Sequence, residues 1–163
     1  MTAEPTGVVP LDDVLVHVDR ALRGMAATLA DLGDDLANRR PDLPGANSAY
    51  VIVTHCLGVM EFWGGHVIAD RAITRDRDAE FVAHGPVADL ISRVRVQRTR
   101  LDADLASYDG AAPPRGSLDG RRREGDEEFT RTQGGVLMHI YEELAQHRGH
   151  LDLTADLVRK EHP

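Results

Sequence analysis

The chain is short of several things, and each shortage closes off a class of function. Cys56 is its only cysteine, so it can form neither an internal disulfide nor a cysteine-rich zinc site. Basic residues are outnumbered, 19 Lys and Arg against 27 Asp and Glu, for a formal net charge of -8. A surface of that sign is unsuited to general binding of nucleic acid or acidic membrane, which both need cationic side chains. No stretch approaches the roughly 20 apolar residues of a bilayer span, so no membrane partner is expected. The opening MTAEPTGVVPLDDV has neither the basic stretch nor the apolar stretch of a secretory leader, and the cytoplasm is the expected compartment. Period-two alternation, the mark of a half-buried strand, is missing too, and there is no internal repeat.

What is present suits one soluble domain. A chain of 163 residues, 42% hydrophobic and 28% charged, is long enough for a single core and too short for two, so residues 1–163 are read as one unit. Four segments carry helical periodicity. The first runs from about Pro10 to Arg40, with Leu11, Val14, Leu15, Val18, Leu22, Met25, Leu29 and Leu32 spaced three and four apart. Asp12 and Asp13 suit its N-terminal end, and Pro41 with Pro44-Gly45 stops it. The second runs from about Ser48 to Arg71 with Asn47 as N-cap, the third from about Pro86 to Tyr108, the fourth from about Gly135 to Lys160. Arg75 to Phe81 reads as a charged loop too short to join the core. Asp109 to Thr132, rich in Gly, Pro and Arg, reads as a long exposed crossover. The expected fold is all-α, an up-down four-helix bundle with one long crossover loop.

Eight histidines are many for this length, and several of them fall on apolar helix faces. At about 100° per residue, Ser48, Val51, Ile52, Gly58, Val59, Phe62 and His66 lie within about 60° of His55. Taken alone, His55 reads as a core histidine bonded to a carbonyl. On the fourth helix, Val136, Ile140, Leu144, Leu151 and Val158 share a face with His147. That face has three polar exceptions, Glu143, His147 and His150. Glu143 and His147 stand one turn apart, so a carboxylate oxygen and an imidazole nitrogen can converge on one ion. The competing reading is a plain Glu-His ion pair. With His55 facing them, these residues form a two-histidine, one-carboxylate set that leaves room for water or substrate on a divalent ion. His150 is a candidate fourth ligand, hydrogen-bond donor or proton carrier.

The remaining histidines carry less. His139, about 80° from His147, is expected to be peripheral, and His17 structural. His66 lies roughly 16 Å along the helix from His55, too far to share its ion. His84 falls in a loop and His162 at the chain end. Cys56 is expected to be a small buried hydrophobe.

His55 with the Phe62-Trp63 pair, and the run Glu143-Leu-Ala-Gln-His147-Arg148-Gly149-His150, resemble the DinB/YfiT-like superfamily of metal-binding four-helix bundles. Many members carry His-x-x-x-His-Arg-Gly-Gln on the fourth helix; here Glu143 stands at the first His and His150 at the Gln. The carboxylate makes the chain similar to the mycothiol-dependent maleylpyruvate isomerase and mycothiol transferase branch, which the Arg75–Phe81 segment also resembles. The resemblance spans roughly Leu11 to Lys160. It implies His55, Glu143 and His147 as ligands of a divalent metal, zinc foremost, with nickel, manganese or iron as alternatives. It also implies His150 at the catalytic centre, mycothiol as thiol co-substrate, a small electrophile as its acceptor, and a homodimer. A hydrolase or isomerase on the same site, or a metal-binding module without catalysis, are the alternatives. Arg75, Arg77 and Arg148 are expected in surface ion pairs.

Overall fold

A computed structural model describes residues 9–118 and 126–161, the side chains of Asp126 and Glu127 excepted. His162 and part of the expected crossover lie outside the described residues. Helix α1 spans Leu11–Asn38 and buries the stripe Val14, Val18, Ala21, Leu22, Met25, Leu29 and Leu32. Gly33 interrupts it at φ 66°, ψ 178°, a conformation that costs a side-chain-bearing residue dearly. Helix α2, Ala49–Met60, starts at Ser48 rather than Asn47, because the Ser48 hydroxyl accepts the Val51 N–H at 3.2 Å. Every α2 residue except Gly58 is buried, so this helix is enclosed on all sides.

The second helix does not continue as α-helix to Arg71. It widens into a π-helix over Glu61–Ile68 and closes with Ala69 N–H donating to Gly64 O and Arg71 N–H to Gly65 O. The short α3, Arg77–Glu80, follows. Next come α4, Val87–Asp104, the four-residue α5, Asp126–Phe129, and α6, Gln133–Glu161. No strand occurs among the described residues. The all-α bundle is therefore as expected, with helix ends shifted by a few residues.

Contacts set the arrangement. Helices α1 and α2 each pack on the other and on both α4 and α6, whereas the α4 and α6 backbones stay more than 8 Å apart, Cα to Cα. The last two therefore occupy opposite corners, with α2 between them. That places one side of α2 against α6 and another against α4. Gly24 of α1 leaves room for the Arg148 side chain of α6: a Cβ there would sit 2.6 Å from Arg148 Cζ. Arg148 lies in that notch and pairs with Asp152 at 2.8 Å, and Thr28 also donates to Asp152.

One expectation needs correcting here. Ala49–Ile68 is, by length and composition, apolar enough to cross a membrane, at mean hydropathy 1.3. Of that window 83% is buried inside the fold. A helix at the centre of a bundle needs apolar residues all round, and this requirement accounts for the composition.

Beyond the π-helix the chain is held by Arg71, whose guanidinium donates to Asp104 at 2.9 and 3.1 Å and to Glu61 at 2.7 Å. The Arg71 hydrogen bond, aided by Gln97 and the Arg71 and Arg100 charges, holds the Glu61 carboxyl below its usual range against the opposing effect of burial. A carboxyl depressed in the folded state adds stability above its unfolded pKa and loses it as pH falls through the folded value. Melting temperature is therefore expected to drop as pH falls below about 4.3, the ordinary glutamate value. Glu61→Gln is expected to flatten part of that drop in a thermal-melt series.

Candidate metal centre

Packing of α2 on α6 brings together three of the residues singled out by the helical faces. His55 comes from the buried α2, and Glu143 and His147 from successive turns of α6. One ligand atom from each lies within 4.8 Å of the other two. His147 Nε2 is 3.5 Å from Glu143 Oε2, and the His55 and His147 rings meet edge-on with centroids 5.0 Å apart. Tetrahedral ligands each about 2.1 Å from a shared ion lie about 3.4 Å apart, so side-chain movement on the order of 1 Å completes the set. Two imidazoles and one carboxylate are a donor set suited to zinc and its first-row neighbours. The hydrogen bond from His147 lowers the Glu143 pKa most, with the His139, His147 and His55 charges adding to it and burial opposing. Glu143 is thus an anion, the form a metal needs.

The second nitrogen of His55 is also committed. Nδ1 donates to Glu80 Oε2 at 2.8 Å, which leaves the Nε2 lone pair as the ligand atom. Glu80 is in turn gripped by Arg75, Nε to Oε1 at 2.6 Å and Nη2 to Oε2 at 2.9 Å. Burial pushes the Glu80 carboxyl up, but the bonds from His55 and Arg75 outweigh it and leave the pKa below its usual range. Phe81 lies against the His55 ring at 5.4 Å.

The Arg75–Phe81 segment was expected to be too charged to join the core; Asp76 to Ala79 are exposed, but Glu80 enters the interior. Glu80 is 7% exposed, and Arg75 forms a largely buried pair with it rather than a surface one. Arg75 and Glu80 can enter the interior because their opposite charges neutralise one another. Asp76 caps α3 by accepting the Ala79 N–H, which aims Glu80 inward. Gly58 makes the space: a Cβ there would overlap Glu80 Oε1 and lie 2.7 Å from its Cδ. The available signal was His55 itself, since a buried metal-binding histidine needs an acceptor for its other nitrogen.

His139 also departs from expectation. It is not peripheral: its ring stacks on Phe129 at 3.9 Å and meets Trp63 edge-on at 5.0 Å, and Nε2 lies 3.8 Å from Glu143 Oε1. His150 is exposed, with its ring 6.0 Å from that of His147, and it lies outside the three-residue cluster. Partial burial and the His147 charge lower its pKa. His17 is exposed beside Tyr141. His66 binds the Ser117 carbonyl at 2.8 Å and His84 Nδ1 the Val82 carbonyl at 3.2 Å.

Cys56 is fully buried, and burial, with Glu143 and Glu80 adding, pushes its thiol far above the ordinary value. It is a packing residue with no thiolate to offer. Any thiol chemistry at this site must come from a bound small molecule.

Fold and site together define a class: an all-α bundle with a partly buried His-Glu-His cluster between two helices, able to hold a metal ion. Within that class the chain belongs to the mycothiol S-transferase family, whose model matches residues 13–160. Searches of curated proteins and of solved structures returned no match.

Proposed function

We propose that this protein conjugates a low-molecular-weight thiol, mycothiol, to an electrophilic small molecule at a divalent metal held by His55, Glu143 and His147. The observation that carries the reading is the convergence of these three side chains in a chain of the mycothiol S-transferase family. A divalent ion bound there lowers the pKa of a thiol that meets it, so that thiolate prevails near neutral pH.

The chain's own residues supply the rest. Glu80 keeps the proton on Nδ1 of His55 and so holds that ring ready as a ligand. His139, packed against Trp63 and Phe129, forms an aromatic cluster next to Glu143. The thiol proton goes to His150, which is exposed beside His147 and has its pKa lowered by partial burial and the His147 charge. The sulfur then bonds to the electrophilic carbon, and the leaving group departs or the proton returns to the product.

Zinc as the ion, a homodimer as the working form and the cytoplasm as its compartment belong to the same proposal. Three protein ligands support a site open to substrate, since structural zinc sites usually take four. The test is to incubate metal-loaded protein with mycothiol and a bimane electrophile. Adduct formation that needs protein, metal and mycothiol together is the expected outcome. Turnover of esters or amides without any thiol would instead favour a hydrolase.

A further inference from the structure

Glu143 stands between two imidazoles of its own helix, one turn to either side. Its Oε2 faces His147 Nε2 at 3.5 Å, and its Oε1 faces His139 Nε2 at 3.8 Å. Among the described residues these are the ion-pair partners of Glu143. A ring nitrogen that serves as a metal ligand has no proton to give, so His147 Nε2 cannot ligate and hold Glu143 at once. A ligating carboxylate aims well only when it is itself hydrogen-bonded. With His147 taken, His139 is the donor that remains.

Packing fixes the His139 ring for that task. The ring is mostly buried, stacks on Phe129 with planes 17° apart and meets Trp63 edge-on. Trp63 comes from the π-helix and Phe129 from α5, so two further elements clamp one imidazole of α6. Gly135 admits Phe129: a Cβ there would overlap the Phe129 carbonyl oxygen. His139 Nδ1 is buried without a hydrogen bond, which costs stability, yet a histidine is seated there.

The two carboxylates facing the ring decide where its proton sits. Nδ1 lies 3.5 Å from Glu142 Oε2, but Glu142 is exposed and its other oxygen already accepts from Gln146 at 3.0 Å. Glu143 is partly buried, and a carboxylate attracts an N–H more strongly as water is excluded. The proton therefore belongs on Nε2. Nε2 donates in the neutral Nε2–H ring and in the cation alike, so the charge of the ring is immaterial.

We propose that His139 is a positioning residue for the metal centre: its Nε2–H takes Oε1 of Glu143 and leaves Oε2 as the single oxygen offered to the ion. Bringing 3.8 Å to hydrogen-bond length takes about 1 Å of movement, the same order as closing the ligand set. With one carboxylate oxygen engaged, the place that the second would fill stays free for substrate. This role rests on the metal reading above and adds to it a residue that touches no ion.

The test titrates zinc and cobalt(II) into full-length protein against a competing chelator, for wild type, His139→Phe and His139→Gln. His139→Phe keeps a ring in the aromatic stack and removes the donor, whereas His139→Gln returns an N–H near the place of Nε2. Metal affinity is expected to fall by about 10–100-fold in His139→Phe and to recover in part in His139→Gln. The visible absorption of the cobalt(II) form, which weakens as coordination number rises, is expected to weaken in His139→Phe as both Glu143 oxygens turn to the ion. Long-range proton–nitrogen NMR of the zinc-loaded wild type reads the ring without any variant, and a protonated His139 Nε2 is expected. An unprotonated Nε2 would overturn the proposal. So would wild-type affinity and cobalt spectrum in His139→Phe, even with a lowered melting temperature, since the ring would then serve packing alone. A wild type that binds neither ion would remove the metal centre and this role together, and the wild-type titration by itself reveals that case.

Discussion

His147→Ala is expected to lower the affinity for a divalent ion by more than about 100-fold, since loss of an outer partner alone costs 10–100-fold. Thiol-transfer activity is expected to fall to background with it. His147 offers one of the three atoms that could hold the ion, and its ring also anchors Glu143 across 3.5 Å. Removing it leaves two ligands on different helices and a carboxylate without its main hydrogen-bond partner. His147 is only partly buried, so the fold is expected to survive, and far-ultraviolet dichroism should be unchanged. Metal content measured by elemental analysis on protein purified without chelator decides the matter. Wild-type metal stoichiometry and affinity in both His147→Ala and His55→Ala would place the ion somewhere else and remove the basis for the proposed chemistry.

The same residues show what a helical sequence does and does not reveal. Glu143 and His147 were legible because a four-residue step on one helix is nearly fixed geometry, whatever the rest of the chain does. His55 was legible because a histidine in the middle of an apolar face has to find a partner. Long amphipathic segments likewise made the all-α bundle readable, since periodicity over 20 or more residues leaves few alternatives. Glu80 was hidden for the opposite reason. It stands 25 positions from His55 across the π-helix and a turn, and no periodicity connects them. Its burial depends on Arg75 and on the missing side chain of Gly58, neither of which carries a signal until the helices are packed. His139 was misplaced because its angle on α6 is marginal, and because Phe129 and Trp63, which cover it, come from the four-residue α5 and from the π-helix. The π-helix left no readable trace in the residue pattern; we have no physical account of why it forms over these eight residues.

Glu80→Ala is the other change from which a large effect is expected, and it acts without touching the ion. It would leave Arg75 buried without its carboxylate and His55 without an acceptor for Nδ1. Breaking a buried pair by deleting one partner typically destabilises by about 3–5 kcal/mol, so a clear fall in melting temperature is expected. Metal affinity should fall by about 10–100-fold, because the His55 ring loses both its fixed tautomer and its orientation. Two further variants separate orientation from mere stability. Glu80→Gln keeps an oxygen able to accept from Nδ1, so it should retain more metal affinity than the alanine variant even though it weakens the Arg75 pair. Gly58→Ala leaves Arg75, Glu80 and His55 all present but fills the notch that Glu80 occupies, so it should displace the carboxylate and lower metal affinity. A variant set in which melting temperature falls while metal affinity and the Nδ1 proton signal of His55 stay at wild-type values would make Glu80 a stabilising residue only. Metal affinity ranked wild type, then Glu80→Gln, then Glu80→Ala, with Gly58→Ala also reduced, would show that the buried carboxylate sets the aim of the histidine.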